Sequence, residues 1–330
     1  MILTNETANC NIDSSSTRLE EQQEKDRGMI MEFIAHKDGE RVQTVKEHAE
    51  GTALRAEAFA SRFGKGEWGY CCGMLHDIGK YSLAFQKKLR DNSNVMVDHA
   101  TAGAKVCFER RGMYPCMSYC IAGHHSGLPD WGSASDTGSA STLQGRMKKR
   151  IEDFSAYQEE IQIPEVKTPP FDPKKVADPD FSLSVLIRML YSCLVDADFL
   201  DTEAFMKNGQ SPRETGEEPW ILFERLKEKI GGWLDCKDTD TVNGRRTEIL
   251  RNCLACGTAG RGAFQLTVPT GGGKTIASLA FALRHAVENQ MSRVIYVIPY
   301  TSIIEQNAQV FRDLLGNENV LEHHCNVDYE

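Results

Sequence analysis

The sequence predicts a mainly α-helical domain followed by the start of an α/β phosphate-binding lobe. Three observations carry this. A series of histidines and aspartates recurs on helical segments between residues 48 and 198. A polar stretch rich in Gly, Pro and Glu interrupts the helical pattern at 208–219. An apolar run, a glycine loop ending Gly-Lys-Thr and a helical pattern then follow one another over 263–289. The division expected is a disordered polar tail at 1–30, a helical domain at 31–207, a linker at 208–219 and the α/β segment at 220–330.

The totals bound the class. Three hundred and thirty residues accommodate about two domains. Eleven cysteines without a small-scaffold spacing point to reduced thiols rather than a disulfide framework, hence to the cytoplasm. No apolar run is long enough to span a bilayer, so no membrane association is expected. A net charge of −9 argues against bulk electrostatic binding of nucleic acid and leaves room for a local basic track. Lys87, Lys88 and Arg90, or Lys148, Lys149 and Arg150, are candidates for such a track, although solvated helix faces account for both.

Thr44 and Glu47 have the spacing of a capping box and open a helix expected to reach Phe63, with Gly64 beyond it. Val45, His48, Ala49, Thr52, Ala56 and Phe59 share its apolar face, so His48 points inward. A second helix over 67–78 delivers His76 and Asp77 near its end, and Gly79 turns the chain. Lys80 then lies close enough to put an ammonium beside a bound phosphate. Short helices are expected over 82–90, 98–112 and 115–124, bringing in His99 and the pair His124-His125. Neighbours on a helix point about 100° apart, so both can meet one site only where the helix end turns one back, or where two metals are present. A Gly/Ser/Asp/Thr loop over 128–145, a polar helix over 143–160 and a proline-rich extended connection over 164–179 follow. The pattern over 181–205 is apolar nearly all round and predicts a buried helix. Asp196 and Asp198 lie on it, one expected inward and one outward, and a carboxylate inside such a helix needs a partner or a metal. Neutral imidazoles and carboxylates are the ligand set of divalent transition metals, which makes 31–207 a candidate metal-dependent phosphohydrolase or nuclease.

Helices over 220–234 and 241–256 begin the second domain. Cys253 and Cys256 form a lone CxxC without a second pair at zinc-ribbon spacing. Residues 263–268 read as a buried strand, followed by Thr270, Gly271, Gly272, Gly273, Lys274 and Thr275. The glycines let backbone N–H groups close on phosphate oxygens, Lys274 reaches the β/γ-phosphates and Thr275 ligates Mg²⁺. Val268 stands where the general pattern has its first glycine, and the Pro-Thr-Gly-x-Gly-Lys-Thr form resembles motif I of superfamily 2 helicases. A strand over 293–299 and a helix containing Gln306 resemble motif Ia of the same enzymes.

The ordered set resembles the CRISPR-associated nuclease-helicase of type I systems, in which an HD metal domain precedes a RecA-like superfamily 2 helicase. Val-Lys-Glu-His48, His76-Asp77-Ile-Gly-Lys80, His99, His124-His125 and Val-Asp-Ala-Asp198 match its HD pattern in order, and 264–275 and 296–306 match its helicase start. The resemblance implies that His48, His76, Asp77 and Asp198 bind one metal, and that Asp77 bridges to a second held by His99, His124 and His125. It implies two divalent ions (Mn, Fe, Co, Ni or Mg), with Asp77 and Lys80 in the catalytic role. It further implies ATP and Mg at the glycine loop of an intact helicase, single-stranded DNA as substrate, and recruitment by an RNA-guided surveillance complex. No Asp-Glu-x-His segment or arginine finger of a second RecA-like lobe occurs in the 330 residues, so nuclease activity is expected here without ATP-driven unwinding. The rival expectations are an HD phosphohydrolase of small nucleotides and a catalytically inactive partner-binding fragment.

Overall fold

In the computed structural model, residues 32–209, 216–237 and 240–324 are described. The expected disordered tail at 1–30 and part of the expected linker lie outside them. The chain divides into two compact units, Met1–Ser211 and Pro212–Glu330.

The first unit opens on a hairpin, β1 (Ile34–Asp38) and β2 (Arg41–Thr44), paired antiparallel with an irregularity between Ile34 and His36. Gly39, at φ +60°, permits the tight turn. The hairpin runs directly into α1 (Val45–Ser61), where Thr44 and Glu47 form both halves of the capping box. The next helix, α2 (Gly66–Leu75), stops just before His76, and a 3-10 turn (Ile78–Tyr81) follows. Then come α3 (Leu83–Arg90), α4 (Ala100–Arg110), α5 (Tyr114–Gly123) and the long α8 (Pro179–Met206). The polar helix expected over 143–160 is instead two short pieces, α6 (Leu143–Lys148) and α7 (Tyr157–Glu160). Lys149 is extended, and the backbone between the two pieces makes no helical ladder.

Helices α1 and α2 pack with backbone against backbone. A Cβ on Gly73 would lie 2.4 Å from Ala53 Cα, and one on Gly69 2.3 Å from the Ala56 carbonyl oxygen. The core around them holds Trp68, Leu75, Ile78, Met117, Ile121, Leu190 and Leu194, all below 2 % exposed. Helix α8 crosses this core but is not buried all round, as its composition suggested. Leu186, Leu190, Leu194 and Ala197 face inward, while Phe181, Val185, Met189 and Phe199 remain exposed. Its neighbours cover one side only, and apolar composition does not specify how many sides are covered.

The second unit contains α9 (Pro219–Leu234), α10 (Val242–Cys256), α11 (Lys274–Glu288) and α12 (Thr301–Leu315) around Phe223, Leu226, Ile230, Ala280 and Leu283. The strands expected over 263–268 and 293–299 are not formed: neither segment pairs with another strand among the described residues. Parallel strands owe their backbone hydrogen bonds to neighbours in the same sheet. Here the two-stranded hairpin of the first unit is the sheet found among the described residues. Consistent with this, Ile295 and Val297 are 77 % and 90 % exposed. No helix among the described residues is long and apolar enough to cross a membrane.

Candidate metal centre

Seven side chains predicted from the sequence converge at one place in the first unit. His48, His76, Asp77 and Asp198 offer ligand atoms all within 4.8 Å of one another, and Asp77, His99, His124 and His125 form a second such group. Asp77 belongs to both. Its Oδ2 lies 3.4 Å from the Nε2 atoms of His48 and His76, and its Oδ1 lies 3.4 Å from His99 Nε2 and 3.5 Å from His124 Nε2. Asp198 Oδ1 stands 3.2 Å from His48 Nε2 and 3.6 Å from His76 Nε2. Asp196 is exposed on the opposite face of α8.

Local backbone explains each placement. His48 occupies the buried face of α1. The helical hydrogen bonding of α2 carries on to His76, whose N–H bonds the Cys72 carbonyl, and the turn after it aims Asp77 back into the site. Gly79 allows this turn to press on α4, since a Cβ there would come 2.2 Å from the His99 carbonyl oxygen. His124 and His125 meet one cluster because α5 ends at Gly123. The Gly127 N–H then bonds the Gly123 carbonyl at 2.7 Å, with Gly127 at φ +89°. Helix termination thus supplies the turn-back that adjacent histidines require.

The rings are oriented from behind. His76 Nδ1 donates to the Gly73 carbonyl at 2.7 Å, His124 Nδ1 to the Ile121 carbonyl at 2.7 Å, and His48 Nδ1 to Asp201 Oδ2 at 2.9 Å. In its neutral form each ring, with its proton on Nδ1, presents the Nε2 lone pair to the centre, the arrangement found behind metal-binding histidines. Asp77 Oδ1 and His124 Nε2 are buried without a hydrogen-bond partner among the described residues. Buried acceptors left without donors are costly. A cation among them satisfies both, so the residues of the His99–His125 cluster fit divalent metal, and the His48–His76 cluster offers the same kinds of ligand atom.

Lys80 is buried, with Nζ 2.6 Å from Asp77 Oδ2 and 3.4 Å from His36 Nε2. Its charge therefore acts on the shared carboxylate rather than projecting from a helix end. His36, which the histidine series leaves out, lies edge-on to His48 with ring centroids 4.5 Å apart. Sequence reasoning also passed over Gln43, Arg55 and Asp201. The Asp38-Gly39 turn signal for the hairpin and the three-residue spacing of Asp201 from Asp198 were the available clues.

The electrostatics differ between the clusters. For His76, burial opposes charge, but Asp77 and Asp198 outweigh it and raise its pKa to about 10. For His125, burial and then His124 press it down to about 4, and burial also lowers His99. Asp77 is held well below the usual carboxylate range against the opposing effect of burial, by Lys80 and then His76. Metal ligation requires neutral imidazole. Loading the His48–His76 cluster at neutral pH must therefore expel the His76 proton. Its apparent affinity should rise with pH between about 7 and 10, by about tenfold per unit for one displaced proton. Calorimetric titration in buffers of different ionisation enthalpy should show at least one proton released from this cluster. His125, at about 4, should contribute no proton when the other cluster is loaded near neutrality.

In the second unit, Gly271 and Gly273 take positive φ (+81° and +80°), and a Cβ on Gly272 would lie 2.4 Å from Val268 Cγ1. The loop therefore needs its glycines. Lys274 opens α11 and is exposed, and the Thr275 hydroxyl donates to Asn307 Oδ1 at 3.1 Å. Arg246 Nε donates to the Gly271 carbonyl at 2.9 Å. The α11 N-terminus has no side-chain cap, which leaves its first N–H groups for an anion.

Residues 45–155 match the HD domain family. Residues 240–327 match the family described as type III restriction enzyme, res subunit. No curated protein matches the chain. Asp198 and Asp201 lie outside the first match and enter the site through the fold alone. The chain carries an HD domain, the type of metal-dependent hydrolases, followed by a helicase-like domain.

Proposed function

We propose that this HD domain is a metal-dependent nuclease acting on single-stranded DNA. It would be the hydrolase half of a CRISPR type I nuclease-helicase that degrades invading DNA in the cytoplasm, recruited by an RNA-guided surveillance complex. The observation that carries the reading is Asp77, one carboxylate whose two oxygens face two separate histidine clusters. His48, His76, Asp77 and Asp198 would hold one divalent ion, and Asp77, His99, His124 and His125 the other, drawn from Mn, Fe, Co, Ni or Mg. Bound there, such ions supply an acidified water and neutralise phosphate charge.

The chain's own residues do the rest. The carbonyls of Gly73 and Ile121 fix the His76 and His124 rings. Lys80 keeps Asp77 ionised and adds positive charge beside the place where a phosphoryl group gains negative charge. Substrate approaches from the side of exposed His125 and partly exposed His99 and Asp198. In the following domain, Thr270, Gly271, Gly272, Gly273, Lys274 and Thr275 would cradle the phosphates of ATP with Mg²⁺ in the intact helicase. A helicase-like neighbour favours polymeric DNA over small nucleotides as substrate.

The test is cleavage of circular single-stranded DNA by metal-stripped protein after Mn²⁺, Co²⁺, Ni²⁺ or Mg²⁺ is restored, without ATP. Linear and shorter products with at least one metal are expected. Intact circles with every metal, in protein shown to hold two ions per chain, would sink the nuclease reading. Hydrolysis in a parallel nucleotide panel would then identify a small-nucleotide phosphohydrolase.

A further inference from the structure

Behind the clusters runs a closed loop of hydrogen bonds and contacts that no ligand pattern includes. Asp77 Oδ2 meets Lys80 Nζ at 2.6 Å, and Lys80 Nζ meets His36 Nε2 at 3.4 Å. His36 Nδ1 meets Gln43 Oε1 at 2.9 Å, and Gln43 Nε2 donates to Asp201 Oδ2 at 2.8 Å. Asp201 Oδ2 accepts from His48 Nδ1 at 2.9 Å, and His48 Nε2 returns to Asp77 Oδ2 at 3.4 Å.

Chemistry fixes the direction of each link from Lys80 round to His48 Nδ1, while the last approach, His48 Nε2 to Asp77 Oδ2, sets two acceptors face to face. An ammonium can only donate, and a carboxylate can only accept. Lys80 therefore makes His36 Nε2 an acceptor and puts the His36 proton on Nδ1. That proton turns the Gln43 oxygen toward His36 and its amide NH₂ toward Asp201. Asp201 in turn draws the His48 proton to Nδ1, which leaves His48 Nε2 bare toward the cluster. Arg55 donates to the other oxygen, Asp201 Oδ1, at 2.7 Å. Gly51 makes room for the carboxylate, since a Cβ there would lie 2.1 Å from Asp201 Oδ1. Gln86 anchors the hairpin side of the loop: it bonds both the N–H and the carbonyl of Ile34 at 3.0 Å and the Lys80 carbonyl at 2.8 Å.

We infer that Asp201 is a positioning residue that sets the His48 tautomer for metal. Through Gln43 and His36, the β-hairpin ties that setting to Lys80. The inference rests on the metal-binding half of the proposed function and is independent of the substrate. Asp201 touches neither cluster's ligand atoms except through the back of His48.

The test substitutes Asp201→Asn in the full chain. Three donors converge on Asp201, and an amide has one oxygen for them. The charged Arg55 claims that oxygen, so the new NH₂ faces His48 Nδ1 and pushes the ring proton to Nε2. Nitrogen-15 spectra of the metal-free protein at alkaline pH, where the ring carries a single proton, should show His48 protonated on Nε2 instead of Nδ1. Chelator competition should show one of two ions bound about 10–100-fold more weakly. Adding Arg55→Ala frees the amide to turn its oxygen toward His48 and should restore both readouts, while Arg55→Ala alone changes neither tautomer nor affinity. Gly51→Ala, which removes no polar group, should displace the carboxylate and weaken the same ion despite favouring the helix. A wild-type Nδ1 tautomer in a folded Asp201→Asn protein overturns the inference. Unweakened metal binding in both Asp201→Asn and Gly51→Ala overturns it too. If wild-type protein takes up no metal, the metal reading fails, and the tautomer readout still reports on Asp201.

Discussion

Asp77→Ala is expected to lower metal-dependent DNA cleavage by about 10³-fold or more and to deplete both ions rather than one. Among the described residues, no other side chain belongs to both ligand groups. Loss of His99 or His48 should empty one cluster first, whereas loss of Asp77 takes a ligand from each. The same substitution carries a stability cost. It leaves the Lys80 ammonium, 7 % exposed along its side chain, with His36 Nε2 as its remaining polar contact among those described. Stranding one member of a buried ion pair costs about 3–5 kcal/mol. Asp77→Asn keeps the volume and one acceptor, so it separates chemistry from folding. It should melt closer to wild type yet cleave no better than Asp77→Ala. Metal content by elemental analysis and cleavage of circular DNA decide the matter. An Asp77→Asn protein that holds two ions and keeps a tenth of wild-type cleavage would refute the shared-carboxylate account.

Gly73→Ala should destabilise the first unit by about 2–3 kcal/mol, although alanine is the better helix former by about 1 kcal/mol. The obstruction is backbone: the new methyl would meet Ala53 Cα at 2.4 Å and Ala53 N at 2.6 Å, and neither can rotate away. Helix α2 must then back off from α1. Because the Gly73 carbonyl holds His76 Nδ1, the displacement carries His76 and Asp77 with it. Scanning calorimetry should show the unit's transition lowered by roughly 5–10 °C, and metal uptake should weaken in parallel. Gly231→Ala on α9 is the control, since nothing lies within 4 Å of its added Cβ. A Gly73→Ala protein with unchanged melting would show that the close approach of α1 and α2 does not constrain the site.

What could be read in advance, and what could not, follows from how each feature is encoded. The histidine and aspartate series was legible because each member sits on or beside a helix whose apolar period fixes its facing, as for His48 on α1. The Thr44–Glu47 cap was legible because it is local chemistry. The choice between Asp196 and Asp198 depends on the phase of α8 against its neighbours, which composition does not carry. Apolar content likewise misjudged the same helix as buried on every side, though Phe181 and Met189 face solvent. His36, Gln43 and Asp201 come together from the hairpin and from the far end of α8, 158 residues separating Gln43 from Asp201. Such long-range hydrogen bonds leave no periodic trace. The apolar runs at 263–268 and 293–299 have strand composition, but a strand is a relation between segments, and no partner for them is found among the described residues.

If both histidine clusters take up metal as proposed, the carboxylate they share would couple the two loading equilibria. An ion on Oδ2 changes the charge that Oδ1 offers, and the reverse holds by the same factor, because linkage is reciprocal. Half-loaded protein would then be a distinct thermodynamic species with its own affinity, not an average of empty and full. Mixed pairs of ions need not follow from the preference of either cluster measured alone, so the identity of the first ion bound helps select the second.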